Sequence, residues 1–337
     1  MAEAESENPQ LGLDWLLNLV QHATQAGARP VLLVAWDMAH RPCILPLLYE
    51  EDGAVNALAN FYTSLYQPVG PTPNRALLLR ALLRHLRKTP GITRLTLAPM
   101  DPANALFGEL QAALADTGWR GCHDYFCFGN WRHALRQGDW DGYLASRSSR
   151  VRNTVSRKTR AFLRDGRGRL ALIRPTDALD EAIENYTQIY AKSWKRNEPF
   201  ADFIPNLVRL AAEKGWLRLG LAHYDGLPIA SQIWLVSGAT AYIYKLAYDK
   251  DYAQQSPGTV LTAYMMQQVI SHDAISNIDY LSGDDAYKRD WMSQRREMRG
   301  VAAYNPASAR GVGALLGYTV KRGLKYLPRP AASSTRK

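Results

Sequence analysis

Between Gln254 and Val260 the chain reads Gln-Gln-Ser-Pro-Gly-Thr-Val, after a strand-like segment ending at Asp249 and before an apolar helical pattern. Ser256 as N-cap, Pro257 at the first helical position and Gly258 at the second make a strong helix start. The first N–H groups of such a helix, at Gly258, Thr259 and Val260, have no partner within it, and a glycine lets a ligand come close to the backbone. An anion fits there. Ser-Pro-Gly also reads simply as an efficient cap.

A second cluster of polar chemistry is Gly283, Asp284, Tyr287 and Lys288, after an apolar strand pattern at Ile278 to Leu281. Trp194 closes a long helical pattern and is followed by Lys195-Arg196-Asn197; it reads either as core packing or as a wall of an acceptor pocket between domains. Tyr242, Tyr244 and Tyr248 alternate on one face of their strand.

The elements that must position these residues follow from periodicity and turn signals. After a basic helix, the spacing predicts a strand at Arg169 to Arg174 and helices near Ala178 to Trp194 and Phe203 to Lys214. A three-strand meander follows (Trp216 to His223, Leu227 to Val236, Ala241 to Asp249), then the helix opened by Ser256, in which Val260, Leu261, Tyr264, Met265 and Val269 share an apolar face. A strand at Ile278 to Leu281, a loop from Ser282 to Asp290, a strand near Met298 to Tyr304 and a helix from about Ala307 to Lys325 complete the second half.

The first half predicts strands at Pro30 to Trp36, Cys43 to Glu50 and Phe61 to Leu65, a helix at Arg75 to Lys88, a strand at Thr93 to Ala98, a helix at Asn104 to Asp116 and a strand near His123 to Phe128. Three strands, a helix and a strand therefore occur twice, which reads as α+β and as two related domains repeating an architecture. The expected divisions are residues 1–138, a basic connecting helix at 139–168, a second domain at 169–305, an amphipathic helix at 306–327 and a disordered tail at 328–337.

The segments Ala191 to Asn197 (AKSWKRN), Ala247 to Gly258 (AYDKDYAQQSPG) and Asp279 to Trp291 (DYLSGDDAYKRDW) resemble the GNAT acyltransferase superfamily, and within it the CelD/BcsL-like branch related to the FemABX peptidyltransferases. Gln255 to Val260 is similar to the superfamily's pyrophosphate-binding pattern, Gln/Arg-x-x-Gly-x-Gly/Ala, with Val260 standing where that pattern has a small residue. The resemblance implies two tandem GNAT-like domains, the first degenerate, with mixed, mostly antiparallel sheets flanked by helices. It implies an acyl-coenzyme A co-substrate, acetyl-coenzyme A in the simplest case, held by Gln255, Ser256, Gly258, Thr259 and Val260, and no permanently bound cofactor. Trp194, Tyr244 and Asp249 are the implied substrate contacts. The acceptor it implies is an amine, small or sugar-linked, of the kind used in cell-surface polysaccharide synthesis.

Acyl transfer needs an oxyanion stabilised while a neutral amine attacks the carbonyl. Lys288, beside Tyr287 in the aromatic-lysine pair, or a backbone N–H is the candidate for the first task. Asp279, Asp284 and Tyr248 are candidates for the second, although each carboxylate also reads as a loop cap.

Composition bounds the alternatives. The net charge of +10 is local: Arg147 to Arg169 holds nine basic residues against Asp165 alone. Arg150, Arg157, Arg160 and Arg164 lie opposite the apolar stripe of Leu144, Val151, Val155 and Phe162, either as a solvated face or as a phosphate-facing patch, so a tRNA-dependent FemABX-like transferase stays open as a rival reading. A non-catalytic binding protein of a polysaccharide assembly is the other; DNA is not expected as a partner. Cys43, Cys122 and Cys127 form no C-x-x-C pair and the histidines show no ligand spacing, so no metal site is expected. No apolar run of eighteen residues occurs and the start is acidic and polar, which predicts a cytoplasmic protein without an integral span. The stripe of Val312, Leu316, Val320 and Leu324 predicts a helix docked on the surface, with peripheral membrane contact as the alternative.

Overall fold

The computed structural model describes residues 7–70, 73–135, 139–174 and 178–325, with side chains to 320. Along the chain run α1 (Leu13–His22), β1 (Arg29–Trp36), β2 (Pro42–Tyr49), β3 (Ala54–Ala57), α2 (Arg75–Lys88), β4 (Arg94–Met100), α3 (Ala105–Asp116) and β5 (Arg120–Ala134). Then come α4 (Trp140–Ala145), α5 (Ser149–Leu163), β6 (Gly168–Ile173), α6 (Leu179–Lys192), α7 (Phe203–Glu213), β7 (Leu217–Tyr224), β8 (Leu227–Ser237) and β9 (Thr240–Tyr248). The chain continues with α8 (Pro257–His272), β10 (Asn277–Ser282), α9 (Ala286–Trp291), β11 (Gln294–Tyr304) and α10 (Ala309–Lys325).

Two compact units result, and they interleave where consecutive domains were expected. One comprises Met1–Gln25, Phe61–Leu65 and Cys127–Met298; the other comprises Ala26–Asn60, Tyr66–Phe126 and Arg299–Lys337. The boundaries fall inside β5 and β11, strands longer than the periodicity suggested, so neither a cut at 138 nor one at 305 separates the units.

In the first unit the strands run in the order β5-β10-β9-β8-β7-β6. β9 and β10 pair in parallel and the other neighbours are antiparallel. The helix α8 lies on this sheet. Val260, Leu261, Met265, Met266 and Val269 are fully buried with Trp234, Ile243 and Ile278, each such side chain stabilising the fold by about 1.5–3 kcal/mol. Buried Gln232 on β8 ties the first turns of α8 to the sheet: its Nε2 donates to Thr262 Oγ1 (2.7 Å) and Gly258 O (3.4 Å), while Trp234 Nε1 donates to its Oε1 (2.9 Å).

Phe61–Leu65, expected as a strand, is an irregular segment packed in this unit. Gln10 Oε1 accepts the N–H groups of Ser64 and Leu65, Thr63 accepts from Trp15 Nε1, and Tyr62 stacks on Phe203 at 4.0 Å. Side chains satisfy the backbone where a ladder would have.

In the second unit β1-β2-β3-β4-β11 follow one another, with β3–β4 parallel and the rest antiparallel. Its core gathers Leu45, Leu79, Leu83, Leu97, Leu110 and Trp119 under α2 and α3. On α10 Tyr318 stacks on His123 at 4.0 Å and Leu315 packs beside Gly121, whereas Val312, Leu316 and Val320, expected as the docking stripe, are exposed. Leu324 lies outside the described side chains, as does the tail after 325. Among the described residues no helix is long and apolar enough to cross a membrane.

Candidate functional site

The parallel pairing of β9 and β10 joins Asn277, Ile278 and Asp279 to Thr240, Ala241 and Tyr242 and then stops. A local device bends β10 away: Asp279 Oδ1 accepts the N–H of Leu281 at 2.7 Å, and Leu281 takes φ +53°, unusual for a branched side chain. Asn130 Nδ2 and Arg296 Nη2 hold the same carboxylate at 2.6 and 3.2 Å. Asp279 is thus a buried clamp on the bulge, with every oxygen engaged, and not a base open to a ligand.

A cavity of about 380 Å³ opens where the strands part, lined by Ile243 to Leu246 on one side and Tyr280 to Ser282 on the other. Every residue of its wall belongs to the first unit. Three lysines serve it differently. Lys245 is nearly buried, pairs with Glu198 Oε1 at 2.8 Å, and sits 4.7 and 4.9 Å from the ring centres of Phe61 and Tyr62. Lys288 is 4% exposed and its ammonium donates to three backbone carbonyls, Tyr280 (3.3 Å), Ser282 (2.5 Å) and Gly283 (3.4 Å). Burial pulls its pKa down, while Asp285, at 3.9 Å, Asp279 and Asp284 oppose the shift. The ammonium's three protons are matched by three carbonyls, so Lys288 braces the turn between β10 and α9. The side chain of Lys195 faces the cavity without a hydrogen bond or ion pair among the described residues; burial first, then repulsion from Lys245, pushes its pKa down to about 8 against the pull of Glu198.

A second cavity of about 360 Å³ lies against the start of α8, with Gly258, Thr259 and Thr262 on one side, Arg150, Val151, Thr154 and Val155 of α5 on another, and Tyr248 between. Trp194, Leu246 and Tyr287 line both cavities. Ser256 caps α8 differently from expectation: it adopts φ +55°, and its hydroxyl makes no capping bond. Val260 N–H bonds Ser256 O, and its side chain is wholly buried in the core. The expected three unpaired donors therefore reduce to the N–H groups of Gly258 and Thr259, which have no partner among the described residues. Arg150 reaches Asp290 at 2.5 Å at the same cavity.

Of the residues singled out in the sequence, Lys288, Tyr287, Tyr244, Trp194, Tyr248, Gly258 and Thr259 line one or both cavities. Gln255 ends a 3-10 turn and lines neither. Asp284 is held by Arg295 (2.7 Å) and by Trp131 Nε1 (2.7 Å), and those hydrogen bonds keep its carboxyl below the usual range, away from both cavities. Asp249 caps the turn that follows β9 and pairs with Lys192 at 3.8 Å, beside a separate cavity of about 90 Å³. Tyr287 and Lys288 stand on a short helix, α9, where a loop was expected. A register shift between Ile233 and Trp234 leaves Tyr244 without a cross-strand partner, which breaks the alternation of the tyrosines. Tyr242 is consequently buried while Tyr244 and Tyr248 reach the cavities.

Sequence reasoning missed Lys195, Lys245 and Glu198. The only signal was Lys195 beside Trp194; the pairing of Lys245 with Glu198 spans 47 positions and has no local signature.

Residues 149–289 match the family model described as Acetyltransferase (GNAT) domain. No curated protein matches the sequence. Similar solved structures include FemX, with TM-score 0.60 and 11% identity over 87% of this chain and 92% of that one. The C-terminal domain of a protein described as a lysylphosphatidylglycerol synthetase, from Agrobacterium fabrum, gives 0.56 and 14% over 86% and 88%. A tandem GNAT protein from the clavulanic acid biosynthesis pathway gives 0.52 and 14% over 91% and 92%. At these identities the likeness concerns fold alone. The fold is thus GNAT-like, and residues 149–289 are similar to the acetyltransferase (GNAT) domain of that family model.

Proposed function

We propose that the chain is an N-acyltransferase of the CelD-like group that moves an acyl group from acyl-coenzyme A to an amine. The observation that carries this reading is the junction of two unlike cavities at Trp194, Leu246 and Tyr287. In the α8 cavity the N–H groups of Gly258 and Thr259 and the positive end of the helix receive the donor's diphosphate. Its acyl end extends toward Leu246 and Tyr287. The amine enters the lysine-lined cavity, so the two reactants meet at the shared wall.

The amine nitrogen attacks the thioester carbonyl, a C–N bond forms, the C–S bond breaks, and the proton lost by the amine ends on the coenzyme A thiolate. Positioning supplies most of the acceleration. Tyr248 and Tyr287 line the donor cavity and supply its phenolic hydroxyls, the more acidic of the hydroxyls there, to the leaving sulfur. Asp285 is the carboxylate on the acceptor side, and Lys288 acts by shaping the β10–α9 turn. Val260 points into the core, so its size does not narrow the donor cavity. The acceptor class suggested by the likeness to the CelD-like group is an amino sugar or a sugar-linked amine. Incubation with acetyl-coenzyme A and a panel of amines, with thiol release and product mass followed together, tests the reading: acylated amine with equal thiol release supports it, and no transfer to any amine opposes it.

A tRNA-dependent reading is favoured by one observation. Asn153, Arg157, Arg160 and Arg164 line an open groove of about 440 Å³ along α5 and its C-terminal end, and among the described residues only Arg164 of these arginines has an ion-pair partner, Asp165 at 3.6 Å. Reversing the charge at Arg157 and Arg160 would flatten the log-log salt slope of tRNA binding by about two if this groove holds the phosphate backbone. An unchanged slope removes that reading.

A further inference from the structure

The acceptor side contains a cation that no carboxylate contacts among the described residues. Of the three lysines lining the 380 Å³ cavity, Lys245 has Glu198 and Lys288 has three carbonyls with Asp285 beyond them. Among the described residues the Lys195 ammonium makes no hydrogen bond or ion pair: Tyr190 and Trp194 each lie 5.8 Å from its nitrogen, and Glu198 and Asp285 attract it only from beyond contact. Rings soften the desolvation of an ammonium but do not neutralise it. The only carboxylate among the lining residues, Asp285, lies beside Lys288. We propose that the acceptor amine also bears an anionic group, a carboxylate or a phosphate, which binds the Lys195 ammonium, while its body packs among Phe61, Tyr62, Trp194 and Tyr287. This rests on the assignment of this cavity to the acceptor.

Three observations converge on Lys195. Its cation is partly buried, no carboxylate contacts it among the described residues, and burial with repulsion from Lys245 and Lys288 outweighs the attraction of Glu198 and Asp285, so its pKa is lowered to about 8. An incoming anion relieves all three at once, since a charge-assisted hydrogen bond in a poorly solvated site is far stronger than at an exposed surface. Discrimination against a neutral analogue of the acceptor is therefore about tenfold or more.

The test follows the Lys195 side chain directly, by NMR of protein labelled at the lysine ε-carbon, with the resonance assigned through Lys195→Arg. The probes are inorganic phosphate, acetate, and two matched pairs: glucosamine 6-phosphate with glucosamine, and phenylalanine with phenylalaninamide. The expected result is a saturable shift of the Lys195 resonance and a rise of its titration midpoint with phosphate or acetate and with the anionic member of at least one pair, at least tenfold weaker or undetectable with the neutral member. Whether the phosphate or the carboxylate arm responds identifies the group. In calorimetric titrations with the same pairs, Lys195→Met, shown folded by its thermal transition, should lose the preference seen for the unaltered protein and Lys195→Arg should keep part of it. No response of Lys195 to any anion, an equal response to the neutral partners, or an undiminished preference in Lys195→Met overturns the proposal. Acyl transfer is measured separately, so an anion site without transfer refutes the enzyme assignment alone, and transfer without an anion site refutes this inference alone.

Discussion

The rings of Trp194 and Tyr248 lie 4.6 Å apart, centre to centre, at the seam where the two cavities share a wall. Trp194 is nevertheless 53% exposed. A large aromatic residue left half in solvent at such a junction is placed for a ligand more than for the core. Trp194→Ala should weaken donor binding and raise the acceptor KM together, each by roughly three- to tenfold, with little change in thermal stability. A loss of stability with unchanged binding would make it a packing residue.

Gly258 borders the donor cavity, and a Cβ there would stand 3.2 Å from Tyr248 Cδ1. Gly258→Val therefore crowds the site between α8 and β9 as well as covering two N–H donors. Calorimetry should show acetyl-coenzyme A binding at least tenfold weaker. Gly226→Val, in the β7–β8 turn at φ +80°, should cost stability but leave donor affinity unchanged. Equal effects of the two variants on affinity would remove the α8 start from the site.

Much of the scaffold could be read in advance, because α2, α3, α5, α6 and α8 and the β7–β9 meander carry strong local periodicity and clear turn signals. What could not be read depends on contacts distant in sequence. Phe61 to Leu65 alternates like a strand, yet Gln10 takes its N–H groups. The bulge that opens the cavity needs Asn130 and Arg296 around Asp279, residues 149 and 17 positions away. Ser256 looked like a capping serine and is instead a left-handed residue, because the 3-10 turn before it sets its backbone. The free N–H groups of Gly258 and Thr259 at the start of α8 were legible, since helix starts are local. Lys195 was not, since a lysine is marked by what fails to surround it.

Lys195 also makes a prediction about stability. Its folded pKa, about 8, lies below the ordinary 10.5, so the unfolded chain holds the proton more tightly between these values. The stability available above pH 10.5 is lost as the pH falls to 8 and stays lost below it. Lys195→Met should accordingly stabilise the protein at pH 7, by on the order of 2 kcal/mol, and the gain should vanish near pH 10.5. Thermal unfolding of both proteins at the two pH values checks the sign; a gain that does not depend on pH would contradict it.

Lys288 separates two mechanisms. As a brace for the carbonyls of Tyr280, Ser282 and Gly283, its removal in Lys288→Ala should lower stability by about 2–4 kcal/mol, since three acceptors lose a charged donor, and kcat should fall with it. A direct oxyanion contact would instead lower kcat about a hundredfold with an unchanged thermal transition.

The position of the donor's diphosphate decides most directly how the two cavities are used. A crystal structure of the protein with acetyl-coenzyme A should place it within hydrogen-bond distance of the N–H groups of Gly258 and Thr259, with the thioester beside Leu246 and Tyr287. A diphosphate bound elsewhere, or a thioester that does not reach the wall shared with the Lys195 cavity, would contradict it.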